Sequence, residues 1–131
     1  MTNIAKLYAQ VLGIVLTLVG ILGFIDALAP GGNLLGIFAI NSMHNVIHLL
    51  SGIVGLAAGF LVGGQYARWY ALVFGAVYAL VTVVGFIQTT TVLGLIPVNL
   101  ADNLLHTAIA VASLAVFFIS APGRKAAVAH A

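Results

Sequence analysis

Polar positions are so sparse along this chain that four nearly unbroken apolar runs stand out, at about Leu7–Ile25, Asn41–Val62, Arg68–Gln88 and Asn99–Ser120. A helix needs roughly 20 mostly apolar residues to cross a bilayer, and each run meets that length. Strands of a membrane barrel would be shorter and would alternate polar with apolar positions, which these runs do not. Hydrocarbon offers backbone groups no partners, so runs of this length are expected to be helical. The pattern predicts an all-α, polytopic membrane protein of one domain over residues 1–131, with four transmembrane helices and a tail over 121–131. Lys6, the first run and Ala27-Leu28-Ala29 imitate the three regions of a secretory signal. The run is long for such a region and Pro30 follows directly, so it is expected to stay as a span.

Composition sharpens this reading. The 131 residues are 63% hydrophobic, with four basic and two acidic side chains, whereas an average soluble domain is about a quarter charged. A cytosolic enzyme, a nucleic-acid partner and a disordered chain are excluded together. With no cysteine, thiolate metal sites and iron–sulfur clusters go too. The bases are Lys6, Arg68, Arg124 and Lys125, while the connections 26–40 and 89–98 hold neither Lys nor Arg. The positive-inside rule then places both termini and the Gly63-Gly64 turn in the cytoplasm, in a plasma membrane. Tyr8, Tyr66, Trp69 and Tyr70 are expected at the inner interface. The lipid bilayer is the first partner, and His130 in the tail reads as incidental.

Two segments of the chain repeat. LGIFAINSMHNVIH at 35–48 aligns without a gap to LGLIPVNLADNLLH at 93–106, pairing Leu35/Leu93, Gly36/Gly94, Asn41/Asn99, Asn45/Asn103 and His48/His106. Upstream, VGILGFI at 19–25 matches VTVVGFI at 81–87. A helical hairpin used twice is expected, with repeat one about 4–62 and repeat two about 66–120. Each unit crosses the membrane twice, so the copies are parallel and related by an axis along the membrane normal.

Candidate chemistry sits at the outer ends of alternate helices. At 100° per residue, Asn41, His44, Asn45 and His48 share one arc of the second helix. Asn99, Asp102, Asn103 and His106 share the matching arc of the fourth, and Ser51, Gly52, Gly55 and Gly59 continue the first stripe. Intramembrane polar residues are costly unless satisfied. His44, His48, Asp102 and His106 can supply three imidazoles and a carboxylate, a set that suits zinc, copper or iron. Asn41, Asn45, Asn99 and Asn103 would line the site, with Asn45 and Asn103 orienting the imidazoles by hydrogen bonds. The apolar stretches Leu34–Ile40 and Val92–Val98 are expected to tuck over this end as a lid.

Two other readings stay open. The cluster can be purely structural, with Asn41 and Asn99 as helix N-caps and Asp102 in a capping arrangement. The protein is then an accessory subunit of a larger membrane complex, or a homo-oligomer. Alternatively, a histidine is the axial ligand of a haem or chlorophyll-type pigment. Catalysis is harder to argue: no nucleophile stands beside a base, and although a metal-bound water could carry out hydrolysis, nothing names a substrate. Transport lacks a second polar patch near the inner face.

Gly36 to Leu49, with His44-Asn45 and His48, and Asn99–His106, with Asp102-Asn103, resemble a bacterial four-helix membrane family known as domain of unknown function 4383. The resemblance runs over roughly residues 4–120. It implies an integral membrane protein with four spans and brings no activity, cofactor or catalytic residue with it.

Overall fold

A computed structural model describes residues 3–121. Arg124, Lys125 and His130 lie outside the described residues. Four helices carry the chain: α1 (Ile4–Leu22), α2 (Ser42–Phe60), α3 (Ala67–Gln88) and α4 (Leu100–Ile119). Each is long and apolar enough to cross a membrane. The protein is a multi-pass, all-helical membrane protein.

Side-chain caps set the starts of α1, α2 and α4, whereas α3 begins after Tyr66 without one. Asn3 accepts from the Lys6 amide, so α1 begins before the apolar run and ends at Gly23, earlier than the hydropathy pattern suggests. Asn41 and Asn99 cap α2 and α4 by accepting from the His44 and Asp102 amides. Each cap satisfies one of the donors a helix start leaves orphaned. At the other end of α4, Arg68 Nε donates to the Phe117 carbonyl at 3.1 Å, and its guanidinium lies 3.9 Å from the Phe117 ring centroid. A cation there complements the negative end of the helix dipole.

Within the bundle α1 packs along α2, and α3 along α4. The first seam depends on small residues, as the stripe of glycines predicts. A Cβ at Gly13 would lie 2.6 Å from the Leu56 amide nitrogen, and one at Gly20 2.7 Å from that of Leu49. Gln10 adds an interhelical bond by donating from Nε2 to the Gly59 carbonyl at 3.0 Å. Many large apolar side chains instead point outward from each helix, among them Leu18, Leu50, Leu80 and Val111, while Leu12, Leu16, Ile109 and Val116 are buried inside. That inversion of a soluble fold is what a lipid solvent permits, since packing rather than apolar burial joins the helices.

The two connections at the polar end are not plain loops. Each folds into a two-stranded antiparallel ribbon: β1 (Asn33–Leu34) with β2 (Phe38–Ala39), and β3 (Thr91–Val92) with β4 (Ile96–Pro97). Leu35-Gly36 and Leu93-Gly94 make the turns with positive φ at all four residues. A leucine held there costs about 1–2 kcal/mol relative to its ordinary conformation. Ribbons were not foreseen, because leucine is a poor residue for such a turn. Leu34, Ile40, Val92, Ile96 and Val98 are buried against the bundle, while Leu35, Ile37, Leu93 and Leu95 are exposed. The ribbons thus tuck in with one face only.

A pair of crossed clasps ties the ribbons together. Asn41 Nδ2 donates to the Leu95 carbonyl at 3.1 Å, and Asn99 Nδ2 donates to the Ile37 carbonyl at 2.8 Å. Each asparagine therefore caps its own helix with Oδ1 and grips the other hairpin with Nδ2. Asn41→Ala is expected to cost about 1–2 kcal/mol from the cap alone, with the clasp added. Thermal unfolding of the detergent-solubilised variant measures this.

Candidate metal centre

The start of α2 places His44 and His48 one turn apart, and α4 presents His106 from across the bundle. Ring centroids lie 4.4 Å apart for His44–His48, 5.6 Å for His44–His106 and 6.1 Å for His48–His106. All three are buried. One ring nitrogen from each lies within 4.8 Å of those from the other two. Metal–imidazole bonds of about 2.0–2.1 Å put tetrahedral donors roughly 3.3 Å apart. The rings therefore need to close by at most about 1.5 Å to share an ion.

Their hydrogen bonding is the informative part. His44 Nδ1 lies 3.0 Å from the Ala39 carbonyl, which makes Nδ1 the protonated nitrogen and leaves Nε2 with its lone pair. His44 Nε2, both nitrogens of His48 and Nδ1 of His106 are buried without a partner. Four unpaired ring nitrogens in one apolar interior are costly. The three histidines line a cavity of about 40 Å³ together with Ser51, Tyr78 and, from the lid, Ile96. A cavity of that size takes an ion or a water, since one water needs roughly 10–15 Å³ by that measure.

The other expected site residues take different places. Asp102 is buried but does not join the three histidines. Its Oδ2 accepts from the Asn99 amide at 2.9 Å and the Ala39 amide at 3.0 Å, completing a capping box. The backbone of Ala39 thereby links both helices, giving its carbonyl to His44 and its N–H to Asp102. Asn45 and Asn103 are buried too, yet they do not orient the imidazoles. Their Oδ1 atoms have no hydrogen-bond partner and lie against Gly23 and Gly85. A carboxamide laid on a glycine fills the space a side chain would occupy on the neighbouring helix. Asn41 and Asn99 hold the lid through the clasps.

Beneath the histidines lies a polar layer that the sequence reading missed. The Tyr78 ring centroid is 5.6 Å from that of His106, and its hydroxyl is buried without a partner. Tyr70 Oη donates to the Ser51 carbonyl at 3.0 Å. Tyr8 Oη meets Ser113 Oγ and donates to the Ile109 carbonyl at 3.4 Å. Tyr70 is therefore a core residue and Tyr8 half-buried, whereas Tyr66 and Trp69 are exposed, as interface residues should be. A tyrosine in the middle of an apolar run, such as Tyr78, was the available signal, because a hydroxyl at that depth needs a partner inside the protein.

A profile of the family described as Domain of unknown function (DUF4383) matches residues 6–119. No curated protein and no solved structure matches the chain.

Proposed function

The chain belongs to the DUF4383 family, and we propose that it holds one transition-metal ion between His44, His48 and His106. The observation that carries this reading is a set of three buried imidazoles that line one small cavity, each with a ring nitrogen within 4.8 Å of the other two rings' and each with at least one nitrogen lacking a partner. Three imidazoles suit zinc, copper or iron, and they leave a fourth coordination position open. The Ala39 carbonyl on His44 Nδ1 is the outer hydrogen bond that fixes a ligating ring and raises its basicity. Asp102 stays with the backbone in this reading, which narrows the expected four ligands to three.

The topology completes the proposal. The chain is one domain built from two parallel hairpin repeats, a reading supported by the two matching ribbons and by clasps whose donors and acceptors are counterparts in the aligned segments. Lys6 and Arg68 lie at the end opposite the histidines, so the site faces outward across a bacterial plasma membrane, with both termini cytoplasmic. The small cavity of about 40 Å³ between the three histidines favours a single ion over a haem or chlorophyll-type macrocycle.

Elemental analysis of protein purified from native membranes without chelator tests the metal. About one zinc, copper or iron per chain is expected in the wild type, and less than a tenth of that in His48→Ala. Absence of metal from both overturns the reading.

The accessory-subunit reading draws on the clasps and the capping box, which are structural devices. Contacts to a larger complex or a second copy would then run through the apolar helix faces. The two readings differ for chelator-treated protein. Each unpaired buried polar group costs about 1–3 kcal/mol, so His48→Leu should leave the metal-free melting temperature unchanged or raise it. A structural histidine network requires it to fall.

A further inference from the structure

A metal held by three histidines leaves the phenol beside them without a task. Tyr78 is 4% exposed, and its buried hydroxyl has no hydrogen-bond partner among the described residues. Its ring centroid lies 5.6 Å from that of His106. The Ser51 side chain stands close to the hydroxyl without reaching hydrogen-bond geometry. Tyr78 and Ser51 both line the cavity of about 40 Å³ that the three histidines line.

We propose that the fourth coordination position takes a small exogenous ligand, water at rest, and that the Tyr78 hydroxyl donates a hydrogen bond to it. This rests on the metal reading, since the ion is what fixes the ligand beside the phenol. Two needs meet in the cavity. A buried hydroxyl left unpaired is costly, and at membrane depth its partner has to come from the protein interior. Three imidazoles leave a metal one short of four ligands, the position that water or substrate fills in catalytic zinc sites. One small ligand meets both.

Size and polarity narrow the class. One water takes roughly 10–15 Å³ of such a cavity. A volume of about 40 Å³ therefore favours an ion with a ligand of one to three heavy atoms over a larger substrate. The phenol O–H is a donor, so the ligand must keep a lone pair for it, as water, hydroxide and small anions do. Ile47, Val77, Val81 and Ile96 complete the lining and are apolar. Besides the histidines, only Ser51 and Tyr78 offer the ligand a polar side chain there.

Azide titration of the detergent-solubilised protein loaded with cobalt(II), followed through the visible bands of the ion, tests this. Saturable azide binding to the wild type is expected. Tyr78→Phe should keep one cobalt per chain and bind azide about five- to tenfold more weakly, the loss of one hydrogen bond. Thr82 also carries a buried, unpartnered hydroxyl on α3 but does not line the cavity, so Thr82→Val should bind azide like the wild type. A purely structural Tyr78 would change thermal unfolding and leave azide affinity alone. Failure to take up cobalt overturns the metal reading and this one together. Cobalt uptake without azide binding, or equal azide affinity in Tyr78→Phe and the wild type, overturns this one alone.

Discussion

Single alanine substitutions at His44 and His106 are expected to weaken metal binding by more than about 100-fold each, while Asp102→Asn keeps the metal. Loss of an outer hydrogen-bonding partner typically costs 10- to 100-fold in metal affinity, and loss of a ligand from a three-ligand site costs more. Two remaining imidazoles, one held by α2 and the other by α4 in the His44 variant, no longer enclose the ion. Asp102→Asn is the informative contrast, because its carboxylate serves the Asn99 and Ala39 amides rather than the cavity. Both bonds fall on Oδ2, so an amide oxygen in its place can still accept them without the carboxylate charge. That variant should lose about 1 kcal/mol of stability as a weakened cap. Metal content measured beside thermal unfolding separates the two effects. If Asp102→Asn emptied the site as fully as His106→Ala, the carboxylate would be a ligand and the three-histidine set would be incomplete.

Gly13→Leu should do more damage to the fold than any histidine substitution. A Cβ at that position would meet the Leu56 amide nitrogen at 2.6 Å and the Gly55 carbonyl carbon at 2.8 Å. Both are backbone atoms, so no side-chain rotation relieves the contact and α1 must move off α2. Overpacking a core commonly costs about 1–3 kcal/mol when side chains can adjust. Here a loss of at least about 3 kcal/mol is expected, lowering the melting temperature in detergent by on the order of 10 °C. Leu18→Phe, which adds bulk to an exposed position of the same helix, should change stability by no more than about 0.5 kcal/mol. Displacement of α1 also removes the surface beside His48, so Gly13→Leu should lose metal as a consequence of misfolding. A variant that folds normally would show that the small-residue seam does not hold the first hairpin.

The four helices were legible because lipid imposes a simple rule on sequence. Backbone groups must be paired within a segment, so a long apolar run has one low-energy form. Exact starts were less legible, since Asn3 begins α1 ahead of the apolar run. The paired asparagines and histidines could be singled out by spacing alone, because residues three and four apart share a helical face. Spacing placed His44 and His48 together, and the repeat brought His106 of α4 into the same candidate set.

What the sequence could not carry was direction and distance between elements. Asp102 and His44 occupy equivalent positions in the two aligned segments, yet one turns to backbone amides and the other joins the rings. That outcome follows from chemistry meeting a shared neighbour: Ala39 offers an N–H to the carboxylate and a C=O to the imidazole. Asn45 and Asn103 were read as partners of the rings and instead fill the hollows above Gly23 and Gly85, because a glycine on the neighbouring helix leaves just that space. Tyr8 and Tyr70 looked like interface residues by position and were drawn inward by Ser113 and the Ser51 carbonyl. The sequence by itself determined the number of spans, their helical form and the face that carries polar groups, since those depend on local periodicity and solvent. Only the tertiary structure decided which polar groups meet, because a ring nitrogen finds or lacks a partner through contacts made across helices far apart in the chain.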